Sequence, residues 1–146
     1  MSKLVIKYDY VEANGGNTLK QIDIARQPLI YYEKDIGTGP YTLIMVDLDS
    51  PDPAKPIYSE YIQWMITNIP GNLLNLGRTI VPYENPIPMK GTHRYITYLY
   101  DQGGKELQPN MAYARQGFKR SVFLWQNGMA MSPVALNYFR VESLNK

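Results

Sequence analysis

The stretch that decides the fold is YTLIMVDLDSPDP, residues 41–53. Its first part, Tyr41–Leu48, is a largely apolar run rich in β-branched residues, which predicts a strand. The prolines that follow fix φ and lack an N–H donor, so we expect a stiff loop after this strand. Such a loop can hold a binding site or insulate a sheet edge, and both interpretations stay open. Because side chains alternate along a strand, Asp47 and Asp49 lie on one face at its end.

Similar short runs occur along the rest of the chain, separated by Pro, Gly or Asn clusters. They predict further strands at Leu4–Tyr10, Leu19–Ile24, Leu29–Tyr32, Tyr61–Ile69, Ile80–Tyr83, His93–Tyr100 and Val134–Val141. Lys119–Asn127 predicts a helix that ends at Gly128, and Gly15-Gly16 predicts a hairpin turn. Since no repeat or linker interrupts the pattern, we expect residues 1–146 to form one mainly antiparallel β domain with one or two short helices.

The composition of the chain excludes several classes of protein. Hydrophobic residues make up 45% and charged residues 19%, an ordinary balance for a globular domain. The formal net charge of +2 is small and its charges do not cluster, so no nucleic-acid partner is expected. The absence of cysteine excludes disulfides, thiolate catalysis and cysteine zinc sites.

Neither a membrane span nor an export signal is expected. The apolar run Leu43–Val46 is far shorter than the roughly 20 residues that a membrane helix needs. The start of the chain, residues 1–7, contains a short apolar stretch that falls below the roughly 7–15 residues of a signal-peptide core. A cytoplasmic location is therefore the expectation.

His93 is the only histidine, and it begins a predicted strand after a second proline-rich loop, Pro82–Gly91. In a regular strand His93 and Tyr95 share a face, while Arg94 points the other way. With Asp47 they could bind a polar or anionic head group. The alternative is structural: His93 is a satisfied, partly buried residue, and Asp47 or Asp49 pairs with Arg94. The positions of these residues in the sequence alone favour the structural alternative, because structural ion pairs are more common in proteins than binding sites.

The residues offer little for catalysis. A Ser-His-Asp triad would have to use His93, and the chain has no G-x-S-x-G motif. A single histidine excludes a three-histidine metal site, and there is no glycine-rich phosphate loop. We therefore expect no catalytic residues, no metal and no cofactor.

Two motifs resemble the signatures of the phosphatidylethanolamine-binding proteins, a family that includes the Raf kinase inhibitor proteins and the florigen-type plant regulators. Tyr41–Pro51 is similar to the segment with the family's D-P-D-x-P signature, and Gly91–Tyr95 is similar to its G-x-H-R-[YF] turn. Further similar stretches, in the family's order, are Glu60–Trp64, Tyr83–Pro86, Arg115–Phe118 and Pro133–Ala135. The resemblance spans most of the chain, roughly residues 3–142.

The resemblance implies a large antiparallel sheet, a smaller second sheet, peripheral helices and a small pocket for an anion or a phosphorylated head group. The matching pocket positions are Asp47, Pro51, Tyr61, Gln63, Pro86, Pro88, His93 and Tyr95. The resemblance further implies that His93 donates to the anion, Tyr95 adds a hydroxyl or a wall, and Asp47 orients the donors. The prolines would fix the rim, and Ser50–Pro51 would be a cis peptide bond.

The chain departs from the family's pattern at three places. Leu48 stands where the signature has proline, and Gln63 stands where most members have a pocket histidine. An amide donates a hydrogen bond but carries no positive charge, so weaker and less pH-dependent anion binding is expected. After Val141 only five residues follow, too few for the C-terminal helix that borders the pocket in animal members, so the pocket is expected to be more open.

These inferences predict a regulatory binding protein that is not an enzyme. Its pocket would hold a small anionic or phosphorylated ligand, such as phosphate or a phosphorylethanolamine-like group. Its surface would modulate a signalling or protease partner, with a protein kinase, a protease or an adaptor as the candidate classes. The alternative is a phospholipid head-group carrier in which the pocket is the whole function, and a hydrolase has little support.

Overall fold

Strands dominate the structure, a computed structural model that describes residues 2–108 and 113–145. The described strands are β1 (Ser2–Lys3), β2 (Val5–Lys7), β3 (Leu29–Tyr31), β4 (Tyr41–Asp47), β5 (Tyr61–Ile69), β6 (Arg78–Val81), β7 (Thr92–Asp101) and β8 (Ala135–Glu142). The described helices are α1 (Arg120–Gln126) and two short 3-10 helices, Gln21–Ile24 and Leu74–Leu76. The predicted mainly β class is confirmed.

Six of these strands form one large sheet in the order β1-β8-β7-β4-β5-β6, and β2 pairs with β3 in a small second sheet. All neighbouring pairs are antiparallel except β1 and β8, which run parallel. The large sheet is therefore mixed at one edge, whereas the sequence predicts an antiparallel sheet. In this parallel pair Ser2 lies beside Ala135, and the Ser2 N–H donates to Val134 O at 3.2 Å.

Strand β4 lies inside the large sheet, between β5 and β7, and all seven of its residues are buried. Its alternate side chains enter different clusters of the core. Leu43 and Met45 pack on one face of the sheet with Trp64, while Ile44 and Val46 pack on the other. Both faces of β4 are thus covered, which explains why its sequence is a continuous apolar run instead of an alternating one.

Leu19–Ile24 is not a strand, contrary to the sequence prediction. A 3-10 helix covers Gln21–Ile24, and of the apolar residues Leu19 and Ile24 are buried while Ile22 is exposed. The Leu19 N–H donates to Arg140 O at 2.8 Å, so the start of the segment is fixed on β8. A tight turn places both ends of the segment in the core, which the alternation of a strand does not.

The Gly15-Gly16 turn does not connect two paired strands, as a hairpin turn would. It rests on β8, where the Gly16 N–H donates to Tyr138 O at 3.0 Å and the Gly15 N–H donates to Asn137 Oδ1 at 3.0 Å. Strand β2, which precedes the turn, pairs instead with β3. In this pair the buried residues Ile6 and Ile30 lie opposite each other.

The predicted helix is present and is one residue shorter at each end than Lys119–Asn127. Its buried residues are Phe123 and Leu124, and the Gly128 N–H donates to Trp125 O at 3.1 Å just after its end. None of the helices in residues 2–108 and 113–145 is long and apolar enough to cross a membrane.

Candidate functional site

Strand register brings four predicted site residues to the same end of the large sheet. Asp47, the last residue of β4, lies opposite Tyr61 on β5 and opposite Tyr95 on β7. His93 lies two residues before Tyr95 on β7 and faces the same side. A cavity of about 420 Å³ opens at this end, between the two proline-rich loops.

The cavity is lined by most of the residues that the resemblance implies. Seven of the eight lie on its wall: Asp47, Pro51, Tyr61, Gln63, Pro88, His93 and Tyr95. Pro86 does not line the cavity, contrary to the expectation. Its neighbours Asn85 and Ile87 line the cavity, and Pro86 is itself buried.

Both ring nitrogens of His93 are already engaged inside the protein. Nδ1 lies 2.7 Å from Asp47 Oδ2, and Nε2 lies 2.7 Å from the Lys90 carbonyl oxygen. A carboxylate and a carbonyl only accept hydrogen bonds, so the imidazolium, with two N–H groups, satisfies both contacts at once. The His93 side chain is 1% exposed, so a ligand anion reaches Nε2 only by replacing the Lys90 carbonyl.

The pKa of His93 reflects this arrangement. Burial lowers the pKa of the ring, but the hydrogen bond and charge of Asp47, the Lys90 carbonyl and Asp49 raise it, and the net direction is upward from 6.5. Asp47 is itself fixed, since its Oδ1 accepts the Asp49 N–H at 2.8 Å. Compared with a free histidine, the folded protein therefore favours the imidazolium form of His93.

The ion pair of the structural alternative is present as well, and it belongs to Asp49. Asp49 Oδ2 accepts the Arg94 N–H at 2.8 Å, and Oδ1 accepts Arg94 Nη2 at 2.9 Å. Burial raises the pKa of Asp49, but the bonds and charge of Arg94 outweigh it and lower the pKa overall. The ends of β4 and β7 therefore carry both a structural ion pair, Asp49 with Arg94, and residues that line the cavity, Asp47 and His93.

The two tyrosines of the site stay protonated at neutral pH. Burial, and then the nearby Asp47 carboxylate, raises the pKa of Tyr95. Burial and the hydrogen bond from the Tyr61 hydroxyl to Glu84 Oε1 raise the pKa of Tyr61 to about 12. Both phenols are therefore neutral groups that donate hydrogen bonds.

Gln63 is tied to the second proline-rich loop. The side-chain Nε2 of Gln63 donates to the Glu84 backbone carbonyl oxygen at 2.6 Å. The backbone carbonyl oxygen of Gln63 accepts the Glu84 N–H at 2.9 Å. The side chain is buried, so it supplies a fixed, uncharged amide to the cavity wall.

Sequence reasoning did not single out half of the cavity wall. The further lining residues are Ser50, Tyr58, Glu84, Asn85, Ile87, Met89 and Gln116. Most of them lie in the proline-rich loops, and Gln116 follows Arg115 in a stretch that resembles the family. Only their position within those segments could have predicted that these residues line the cavity, because none of these residue types indicates a binding site by itself.

Four of these residues have unused hydrogen-bonding groups. The side chains of Ser50, Tyr58, Asn85 and Gln116 make no hydrogen bond within the described residues. No lysine or arginine is among the described residues that line the cavity, and no group of three His, Cys, Asp or Glu there could hold a metal ion. The arrangement can bind an acceptor-rich group through neutral donors.

Two further features lie at the end of β4 and in the loop that follows it. The Ser50–Pro51 peptide bond is cis, as the resemblance implies. The Leu48 N–H donates to the Arg94 carbonyl oxygen at 3.1 Å, a bond that the proline of the usual signature cannot make. The departure at Leu48 therefore adds one hydrogen bond at the end of β4.

Comparison with known proteins gives consistent matches. The family model described as phosphatidylethanolamine-binding protein matches residues 10–139. CEN-like protein 1 of Nicotiana tabacum is 38% identical over 129 residues, which cover 87% of this chain and 72% of that protein. Protein FLOWERING LOCUS T of Arabidopsis thaliana is 32% identical over 140 residues, covering 92% of this chain and 78% of that protein.

A solved structure shares the fold. It is the crystal structure of a carboxypeptidase Y inhibitor complexed with the cognate proteinase, with a TM-score of 0.77 and 22% identity over 97% of this chain and 83% of that one.

Proposed function

The chain belongs to the phosphatidylethanolamine-binding protein family, with similarity to its florigen-type members, and from that premise we propose that it is a non-enzymatic regulatory binding protein. Its cavity holds a small anionic or phosphorylated group. The observation that carries the proposal is the set of neutral donors on the cavity wall, Ser50, Tyr58, Asn85 and Gln116, which have no partner among the described residues. A phosphate-like group, which has several acceptor oxygens, can accept hydrogen bonds from these donors.

The same geometry argues against hydrolysis. A general base needs a free nitrogen within reach of a nucleophile. His93 bonds to Asp47 on one side and to the Lys90 carbonyl on the other, so its ring has no free lone pair for this role. The pocket is proposed to bind its ligand without transforming it.

The partner class is part of the proposal. The protein uses its surface to modulate a signalling or protease partner, with a protein kinase, a protease or an adaptor as candidates. Among proteins of this fold, the carboxypeptidase Y inhibitor is complexed with its cognate proteinase. That likeness motivates keeping a protease among the candidates.

A second candidate function is a phospholipid head-group carrier. Ile87 and Met89 line the cavity and are each 64% exposed, so aliphatic side chains stand beside the neutral donors. A ligand with a polar head and apolar chains satisfies both kinds of group. Pulldown of protein partners, set against binding to immobilised membrane lipids, separates the two candidates.

Calorimetric titration with O-phosphorylethanolamine tests the proposed pocket. Wild type is expected to bind, and Tyr58→Phe is expected to bind about fivefold more weakly, because one hydrogen bond contributes roughly 1 kcal/mol. Tyr10→Phe, at a tyrosine that is 88% exposed and outside the cavity, is the matched control and should bind as wild type does. A wild-type protein that does not bind would overturn the proposal.

A turnover assay tests the non-enzymatic assignment. Pure protein is expected to hydrolyse neither ester, peptide nor phosphoester substrates. Turnover that His93→Ala abolishes would show an enzyme instead.

A further inference from the structure

Two carboxylates line the cavity, and each is paired with a cation from another segment. Asp47 pairs with His93 at 2.7 Å, and Glu84 pairs with Arg115, whose Nε lies 3.1 Å from Glu84 Oε2. Since no lysine or arginine of the described chain lines the cavity itself, these two pairs set its local charge. An anionic ligand enters this cavity only if both carboxylates stay neutralised.

Arg115 is held by all three guanidinium nitrogens. Nη1 donates to the Ile62 carbonyl oxygen at 2.9 Å, Nη2 donates to the Pro82 carbonyl oxygen at 2.9 Å, and Nε faces Glu84. Its side chain is 23% exposed, and it does not line the cavity. The guanidinium is therefore fixed behind the wall and cannot turn to contact a ligand. A lysine, with one ammonium group, cannot make this set of contacts.

Glu84 is the residue through which Arg115 reaches the cavity. Its side chain is 43% exposed and lines the mouth, where Oε1 accepts the Tyr61 hydroxyl at 2.6 Å. Without its cation this carboxylate would present a full negative charge to any ligand. The Glu84 backbone is also bonded to Gln63, so the carboxylate cannot move far from the opening.

We propose that Arg115 is a positioning residue that neutralises Glu84 at the mouth of the cavity and thereby sets which ligand charge the cavity accepts. This inference rests on the proposed function. Arg115 raises affinity for an anion without touching it. The effect grows with ligand charge, because the Coulomb energy is proportional to the product of the two charges.

The charge dependence gives the inference a signature that loss of structure does not produce. For a ligand charge several ångströms from a half-exposed carboxylate, we expect Arg115→Met to weaken binding about fivefold for one charge and about 25-fold for two. High salt screens the repulsion and should restore most of the loss. Removing the carboxylate as well, in Arg115→Met/Glu84→Gln, should restore it at any salt concentration.

The experiment is an NMR titration of wild type and variants at about pH 7.5 with two esters of similar size. Dimethyl phosphate carries one charge, and methyl phosphate carries nearly two, since its second pKa is roughly 6. Each titration is repeated at about 20 mM and about 300 mM salt. Glu84→Gln alone keeps Arg115 in place; it should tighten binding of both esters, and of methyl phosphate more.

Arg120→Met is the matched control. Arg120 is also 23% exposed and pairs with a glutamate, Glu60, at 3.2 Å, but it lies outside this cavity. Its replacement should cost similar stability and leave the affinity for both esters unchanged.

The outcomes separate this inference from the function on which it rests. A wild type that binds neither ester overturns the proposed function and this inference together. A wild type that binds, with Arg115→Met either unchanged or equally weakened for both esters at both salt concentrations, overturns the role of Arg115 alone. Failure of Glu84→Gln to favour methyl phosphate does the same, even if Arg115→Met does not fold.

Discussion

Replacing His93 with alanine is expected to lower the free energy of unfolding by about 3–5 kcal/mol at about pH 6. The imidazolium makes two short hydrogen bonds, to Asp47 Oδ2 and to the Lys90 carbonyl oxygen, each at 2.7 Å. A hydrogen bond from a charged donor contributes roughly 1.5–3 kcal/mol, so two contribute roughly 3–6 kcal/mol, and breaking a buried ion pair costs about 3–5 kcal/mol. The His93 and Asp47 side chains are 1% and 5% exposed, so solvent screens the pair little, and alanine leaves the Asp47 carboxylate buried without its cation.

The loss is expected to depend on pH in one direction. Burial lowers the pKa of His93, but Asp47, the Lys90 carbonyl and Asp49 together raise it by more, so the folded pKa lies above the ordinary value of 6.5. A raised pKa in the folded state means that the imidazolium's contribution is complete below about pH 6.5 and is lost as the pH rises through the folded pKa. The difference between wild type and His93→Ala should therefore be largest in acid and shrink in alkaline buffer.

Urea unfolding of both proteins between about pH 5.5 and 9, followed by the fluorescence of the buried Trp64, measures this difference. Thr97→Ala is the control, because Thr97 is buried on the same strand and its hydroxyl has no hydrogen-bond partner among the described residues. Its small effect should not vary with pH. A His93→Ala loss below about 1 kcal/mol, or one that is equal at both ends of the pH range, would refute the reasoning.

Two further perturbations test the cavity wall and the loops that frame it. Gln63→His adds a second imidazole beside His93 and should tighten binding of O-phosphorylethanolamine in acid and steepen its pH dependence; calorimetry between about pH 5 and 8 measures both, and no change in either would mean that Gln63 does not face the ligand. Gly91→Ala should lower the melting temperature, since Gly91 has φ +76° and a Cβ would lie 2.8 Å from Pro53 Cδ. Gly103→Ala, at φ +64° with open space around it, is the control and should cost only the conformational part; an equal loss in both would remove the steric argument.

The fold was largely predictable because its main signal is local. The continuous apolar run of β4 is typical of a strand that is covered on both faces. The structure places alternate residues of that run in two clusters of the core. The strand prediction for Leu19–Ile24 was wrong, because a short apolar run is compatible with either a strand or a tight helical turn. The parallel β1–β8 pair was missed because it joins the two ends of the chain, and no local pattern reports which strands meet.

The candidate site was predictable only as far as position in a motif carries. The resemblance named seven of the residues that line the cavity, and that part of the site stays a prediction until a ligand is tested. It also named Pro86, whose position matches the family's motif but which does not line the cavity, whereas Pro88 does. The sequence indicated Arg115 only as part of a stretch that resembles the family, because its contacts with backbone carbonyls and with the Glu84 carboxylate leave no mark in sequence.

By itself the sequence determined the class of fold, the family and the faces of β4 and β7, because side-chain alternation and apolar content are properties of neighbouring residues. Tertiary structure alone decided what each polar group contacts. The register between β4 and β7 decides which aspartate pairs with Arg94. It places Asp47 opposite Tyr95, so that Asp47 pairs with His93 and Asp49 pairs with Arg94. A shift of one residue in this register would move every side chain of the strand to the opposite face of the sheet. The contacts of His93 with Asp47 and of Arg94 with Asp49, which are 46 and 45 residues apart in the chain, therefore follow from the packing of the whole sheet.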